Sequence, residues 1–350
     1  MNIEFLERKY LLPEGDAILA AANGQMGEQT LLICLCEKGR VSVSSLDTVT
    51  IQYGPVQFQK DIAEHLDLEK PIELVQYQHY LAAYNVKGLT GVVIDLNDSS
   101  FLLPLEREDY HCNLCSWPIG FATLDQQITL IHSTQWNRID FTQLPSGKLL
   151  TERVVKFFKD KENINYLDYF HSQLYVAPDQ EHFVVNGWHW APFDQIWSWN
   201  IKQFLTEYEL AGRGLSVIEV NGYNWDRPLC FVDNQTIAWA INTREAGSDV
   251  APDTAPTELI FQDITTDKKI VNRMKFENFD LTSEKEVSGR LWFDRVNRLF
   301  IASAEEKGTT VTDESGQPIW HRPVKTDFAN PDIQTIGMIE SGTVNLLSWR

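Results

Sequence analysis

Basic charge is scarce in this chain. Lys and Arg total 30 against 49 Asp and Glu, a formal −19 at pH 7, and no run of Lys and Arg makes a local exception. So acidic a surface repels phosphate backbones and anionic headgroups, so neither nucleic acid nor a membrane surface is an expected partner. Long apolar runs are missing too: none approaches the roughly 20 residues that a bilayer-spanning helix needs. The first residues, Met1-Asn2-Ile3-Glu4-Phe5-Leu6-Glu7-Arg8, are broken by charge and lack the basic flank and apolar stretch of a secretory signal. Cysteines are few, odd in number and irregularly spaced (Cys34, Cys36, Cys112, Cys115 and Cys230). Reduced thiols in the cytoplasm are the expectation.

Catalytic signatures are equally thin. Among eight histidines there is no H-E-x-x-H, and no G-x-S-x-G elbow occurs. Gly212-Arg213-Gly214 lacks a strand–turn–helix context for phosphate and reads as a turn. No cofactor is expected. Asp, Glu and His could still converge from distant segments, which one sequence does not reveal.

What is present is a repeat. Long amphipathic helical patterns are rare, while short β-type runs separated by turn residues recur throughout. The unit is an apolar strand ending near Asp or Trp, a turn, then a second apolar strand. Gly91-Val92-Val93-Ile94-Asp95, followed by Phe101-Leu102-Leu103-Pro104-Leu105, is one copy. Asp47, Asp95, Asp140, Trp199, Asp263, Asp313 and Trp349 mark seven such units, about 50 residues apart with a range of 36 to 64. Candidate partner strands lie upstream of several markers, as at Tyr80–Tyr84, Gln127–Ile131, Thr236–Ala240 and Arg298–Ala302. The seventh unit, Thr343–Trp349, has no strand after it. Ile3–Arg8 resembles the strands that follow other markers and would supply the missing one.

The spacing therefore predicts an all-β chain: one seven-bladed β-propeller spanning 1–350, closed by pairing of the N-terminal strand with the C-terminal blade. Blades should end near 53, 106, 153, 206, 272 and 321, with 343–350 plus 3–8 forming the last. Short helices are expected within Gln57–Leu68 and Thr151–Asp168.

One unit carries a family likeness. His171, then Leu174-Tyr175-Val176-Ala177-Pro178-Asp179, then His182-Phe183-Val184-Val185, leads to Trp199-Asn200. The order of His, Pro-Asp turn and strand-ending Trp resembles a WD40-type repeat. Tyr169-Phe170-His171 with Asn186-Gly187-Trp188-His189-Trp190 also resembles uncharacterised bacterial propeller proteins. The resemblance implies that His171, Asp194 and Trp199 belong to a structural hydrogen-bond network of the blade, and that the chain is a partner-binding platform. Asn186 stands near where Ser or Thr is usual, and Asn200 replaces the usual Asp.

The most unusual segment is Asn186-Gly187-Trp188-His189-Trp190-Ala191-Pro192-Phe193-Asp194, between two expected strands. It holds too many large side chains for a plain turn. Trp188, His189, Trp190 and Phe193, with Trp225 from a second segment, are the candidate binding residues, because indoles suit sugar stacking and protein hot spots. The alternative is that these rings pack beneath a neighbouring blade. His111-Cys112-Asn113-Leu114-Cys115 has half-site zinc spacing, but small residues packed in strands explain these thiols as well. The polar loop Thr243–Pro256 reads as a long solvated connection. Two functions follow: a non-enzymatic platform, most simply for a protein partner, or a propeller enzyme or carbohydrate-binding protein using a central funnel and the Trp-rich loop.

Overall fold

The computed structural model describes residues 3–11, 15–46, 56–153, 166–190, 193–219, 226–242, 257–266, 270–275, 289–340 and 342–350. Asp47, Trp225, the Thr243–Pro256 loop and 154–165, which make up most of the Thr151–Asp168 segment expected to hold a short helix, lie outside them.

The chain builds seven four-stranded antiparallel sheets. Strand β1 (Phe5–Leu11) comes first, followed by blade one: β2 (Ile18–Met26), β3 (Gln29–Cys36), β4 (Arg40–Ser45) and β5 (Val56–Asp61). Blade two is β6 (Ile72–Tyr77), β7 (Tyr80–Asn85), β8 (Thr90–Asp95) and β9 (Leu102–Glu106). Blade three is β10 (Ile119–Leu124), β11 (Gln127–Gln135), β12 (Arg138–Gln143) and β13 (Lys148–Leu149). Blade four is β14 (Phe170–Val176), β15 (His182–His189) and β16 (Phe193–Asn200), then helix α1 (Ile201–Glu207), then β17 (Arg213–Glu219). Blade five is β18 (Leu229–Phe231), β19 (Thr236–Asn242), β20 (Thr257–Asp263) and β21 (Ile270–Lys275). Blade six is β22 (Arg290–Asp294), β23 (Leu299–Ala304), β24 (Gly308–Thr312) and β25 (Pro318–Arg322). Three strands remain, β26 (Phe328–Asn330), β27 (Thr335–Glu340) and β28 (Thr343–Trp349), and β1 completes their sheet in the order β1-β28-β27-β26.

The chain is an all-β, seven-bladed β-propeller closed by its N-terminal strand. The register runs from Phe5 opposite Trp349 to Leu11 opposite Thr343, and Glu4 and Arg350 exchange backbone hydrogen bonds of 3.2 and 3.3 Å. Every described marker lies on or immediately after the third strand of its sheet. Asp95, Asp263 and Asp313 share one local task. Each carboxylate accepts the backbone N–H two residues on, at 2.7, 2.7 and 2.8 Å, and so shapes the turn to the fourth strand. The third-to-fourth pairing also slips at a recurrent place, at Val43/Ser44, Ile196/Trp197, Phe261/Gln262 and Val311/Thr312. Such bulges bend and twist the outer strand.

Two compact units group the sheets: 1–107 with 324–350, and 108–323. Within the first unit, alternate residues of β3 serve two cores. Leu31, Ile33 and Leu35 join Leu81, Ala83, Val92 and Ile94, while Leu32, Cys34 and Cys36 join Tyr10, Val344 and Leu346. A strand buried on both faces must be apolar at successive positions, which explains Leu31–Cys36. The second unit repeats this plan. Phe183 and Val185 pack with Ile131, Ile139 and Phe141, whereas Val184 packs with Ile237, Trp239 and Ile260. Each fully buried aliphatic or Phe side chain contributes about 1.5–3 kcal/mol.

Local departures from expectation have local causes. Gly212-Arg213-Gly214 is not a turn: Gly212 ends a 3-10 segment and Arg213 opens β17. The outer strand of blade four was displaced past 206 by α1, whose N-terminus is capped by the Asn200 side chain at 3.1 Å from Gln203 N. In Gln57–Leu68 the helix is a single 3-10 turn, Ala63–His65. No helix among the described residues is long and apolar enough to cross a membrane.

Candidate functional site

Within the second unit, aromatic side chains from four segments converge at one end of blades three and four. Tyr110 and His111 come from the connection leading into β10, and Trp136 from the β11–β12 turn. Tyr166 precedes β14, Phe170 opens it, and Trp188 and Trp190 end β15 and begin the hairpin to β16. Phe170 lies between two indoles, its ring centroid 3.9 Å from Trp188 at an interplanar angle of 10° and 4.2 Å from Trp136 at 32°. Phe170 is fully buried and Trp188 is 4% exposed. On this stack stand Trp190, 47% exposed, and Tyr110, 44% exposed. Trp190 meets Phe170, Trp188 and His111 edge-on at 5.2, 5.2 and 5.3 Å, while Tyr110 lies 5.9 Å from Phe170 and 5.7 Å from Trp136. Edge-to-face and offset contacts are the favoured arrangements of such rings, each worth about 0.5–1.5 kcal/mol beyond area burial.

The backbone beneath is tailored to this pile. Gly187 faces the Phe170 carbonyl: a Cβ there would sit 2.1 Å from that oxygen and 2.6 Å from the Tyr169 ring, so only glycine allows β14 and β15 this close. His189 is held on both nitrogens. Nδ1 donates to the Asp168 carbonyl, and Nε2 lies 2.6 Å from the Gln195 amide oxygen. His111 adopts a left-handed backbone, φ +55°, which turns its segment over the stack.

Thus the sequence-selected residues divide. Trp190 offers surface; Trp188 is a buried support; His189 is half-buried and tied to backbone. The Phe193 side chain and Trp225 lie outside the described residues. Tyr110 and Trp136 have no second Trp, Tyr or Phe within four residues, and Tyr166 stands apart from the dense Trp188–Trp190 string, so none of the three marks a site along the chain.

His171, Asp194 and Trp199 also occupy one blade. The buried His171 ring is 5.8 Å from Trp199, whose Nε1 donates to the Glu209 carbonyl at 3.1 Å. Burial, and then the Arg153 charge, push the His171 pKa down to about 3. Asp194 pairs with buried Arg227 at 3.1 Å; Arg227 also donates to the Ala240 carbonyl, and its own carbonyl accepts from Asn186.

A second buried network ties blades three and four together. Arg153 bridges Asp140, at 3.1 Å, and Glu209. Burial raises the Asp140 carboxyl, but Thr134, Arg138, Arg153 and Thr151 outweigh it and hold the pKa below the usual range. Burial wins at Glu209, whose pKa is raised despite Arg153.

Metal-ligating types meet at the β14–β15 turn, where Asp179, Glu181 and His182 place ligand atoms within 4.8 Å of one another. Both carboxylates are exposed, and Asp179 Oδ1 accepts the Glu181 N–H at 3.0 Å. The cysteines are all free thiols. Cys112 and Cys115 belong to the second unit, with Cys115 Sγ 3.9 Å from the His111 carbonyl, whereas Cys34 and Cys36 lie on β3 in the first.

Comparison of the chain with protein-family models and with curated proteins finds no match.

Proposed function

We propose that this propeller is a non-enzymatic platform that holds a protein partner through the aromatic surface of its second unit. The observation that carries the reading is the exposure of Trp190 and Tyr110 on a stack of buried Phe170 and Trp188 with partly buried Trp136. Large side chains already braced in place lose little freedom on binding, and Trp and Tyr dominate interface hot spots. A WD40-like kinship is part of the proposal. Its support is that His171, the Pro178-Asp179 turn and Trp199 fall on the first strand, the first turn and the third strand of one blade. Five free thiols fit a reducing compartment such as the cytoplasm.

Affinity capture from native lysate tests the platform, comparing wild type with Trp190→Ala and Tyr110→Ala. Loss of a retained protein in either variant is expected. Retention of the same set by all three would refute it, and release by free sugar instead would favour a carbohydrate ligand. Trp188 is unsuitable as a probe, since its truncation hollows the stack.

A further inference from the structure

The aromatic surface has a charge, and the charge selects a partner. Tyr110 follows Glu108 and Asp109 directly, and Tyr166 is two residues from Asp168. The segments that form the surface, 108–118, 133–137, 166–172 and 186–190, contain no Lys or Arg. Arg138, next along the chain, is committed to Asp140 at 2.7 Å. We propose that this surface receives basic side chains, arginine or lysine, from an extended segment of a partner protein. The inference rests on the platform reading above and names what the platform takes.

Three observations converge on it. Electron-rich ring faces attract cations, and guanidinium groups most readily stack on Trp and Tyr. Trp190 and Tyr110 supply such rings in solvent, and Trp136 links Tyr110 at 5.7 Å with Tyr166 at 6.3 Å. Carboxylates adjoin the row along the chain at both ends, Glu108 and Asp109 next to Tyr110 and Asp168 two residues from Tyr166. Asp168 Oδ1 is shielded from solvent and accepts no hydrogen bond from the described residues, and the Tyr166 hydroxyl meets the same carboxyl group. Glu108 is partly buried and sits beside Asp109; burial and then that charge raise its pKa. At long range, a formal −19 steers basic partners in and turns acidic ones away. An acidic peptide, a phosphate or a nucleic acid meets repulsion on every count.

Selection from a phage-displayed library of random short peptides tests the inference, with the full-length protein as bait. Wild type is run beside Trp190→Ala and the isosteric Glu108→Gln/Asp109→Asn variant, each first checked for an unchanged thermal transition. Enrichment of Arg and Lys on wild type is expected. The selected peptides should bind about tenfold more weakly to either variant and weaken with added salt. Replacing their arginines with neutral citrulline should abolish binding. Enrichment of acidic or purely apolar peptides overturns the inference, as does equal binding by the citrulline peptides or by the carboxamide variant. A lysate partner lost in Trp190→Ala but kept by Glu108→Gln/Asp109→Asn would leave the platform standing and remove the cationic partner. Loss of neither would remove the platform itself.

Discussion

Mild acid should unfold this protein through histidines held neutral in its interior. His132 on β11 is buried with Nε2 3.0 Å from Thr142 Oγ1, and burial pushes its pKa from 6.5 down to about 4. His171 on β14 falls from 6.5 to about 3 for the same reason. In the unfolded chain both rings take a proton near pH 6.5; in the native protein they do not until the pH is far lower. The unfolded state therefore binds more protons throughout this window, and native stability falls as pH falls. At about 1.4 kcal/mol per pKa unit, lowering the pH from 7 to 4.5 costs about 2.5 kcal/mol for each ring, or about 5 kcal/mol together. That is a large share of the roughly 5–15 kcal/mol by which a domain is stable. The raised carboxyl of Glu209 acts in the opposite sense, but equally in wild type and in a histidine variant, so it drops out of their difference. His132→Gln removes the titration and leaves an amide within reach of Thr142. Urea unfolding of both proteins at pH 6.5, 5.5 and 4.5 should show the variant losing about 1 kcal/mol less stability per pH unit. Parallel pH profiles would refute the assignment of His132 as a buried neutral base.

Three further outcomes follow from packing. Gly187→Ala forces a Cβ onto the Phe170 carbonyl and should cost about 1–3 kcal/mol, lowering the melting temperature and altering Trp fluorescence; an unchanged melt would mean that β14 and β15 separate freely. Arg153→Met strands the buried Asp140 and Glu209 carboxylates and should cost about 3–5 kcal/mol in chemical denaturation, partly recovered by adding Glu209→Gln. Deleting the chain through Leu11 leaves β28 paired only with β27 and removes Tyr10, which is buried and 2.6 Å from Ser44 Oγ; proteolysis should then open blade seven first, and wild-type resistance there would contradict the clasp.

Much of this architecture was readable because its signals are local. Asp95, Asp263 and Asp313 recur since each caps the turn that ends its own third strand, and a residue doing a local job leaves a mark at the same place in each of these three repeats. The pairing of the termini was readable for a different reason: an unfinished unit at one end matched a spare strand at the other. The outer strand of blade four escaped notice because Asn200 starts a helix that intervenes before β17. The binding surface was legible only where residues are dense along the chain. Trp188 and Trp190 stand out together, but which of them is buried depends on Phe170 and Trp136, brought in from other strands. Tyr110 and Tyr166 join the surface through Trp136, which is distant from both in sequence.

The clasp between β1 and β28 also orders events at the ribosome. Strand β1 is synthesised before blades one to six and its partner β28 after them, so β1 waits as a bare edge until β28 emerges. Its sequence suits that wait: Glu7, Arg8 and Lys9 stay exposed in the finished blade, and charges on an unpaired strand discourage intermolecular pairing. Nascent chains stalled before residue 343 should therefore keep this edge open to chaperones, with blade seven the last of the seven blades to close.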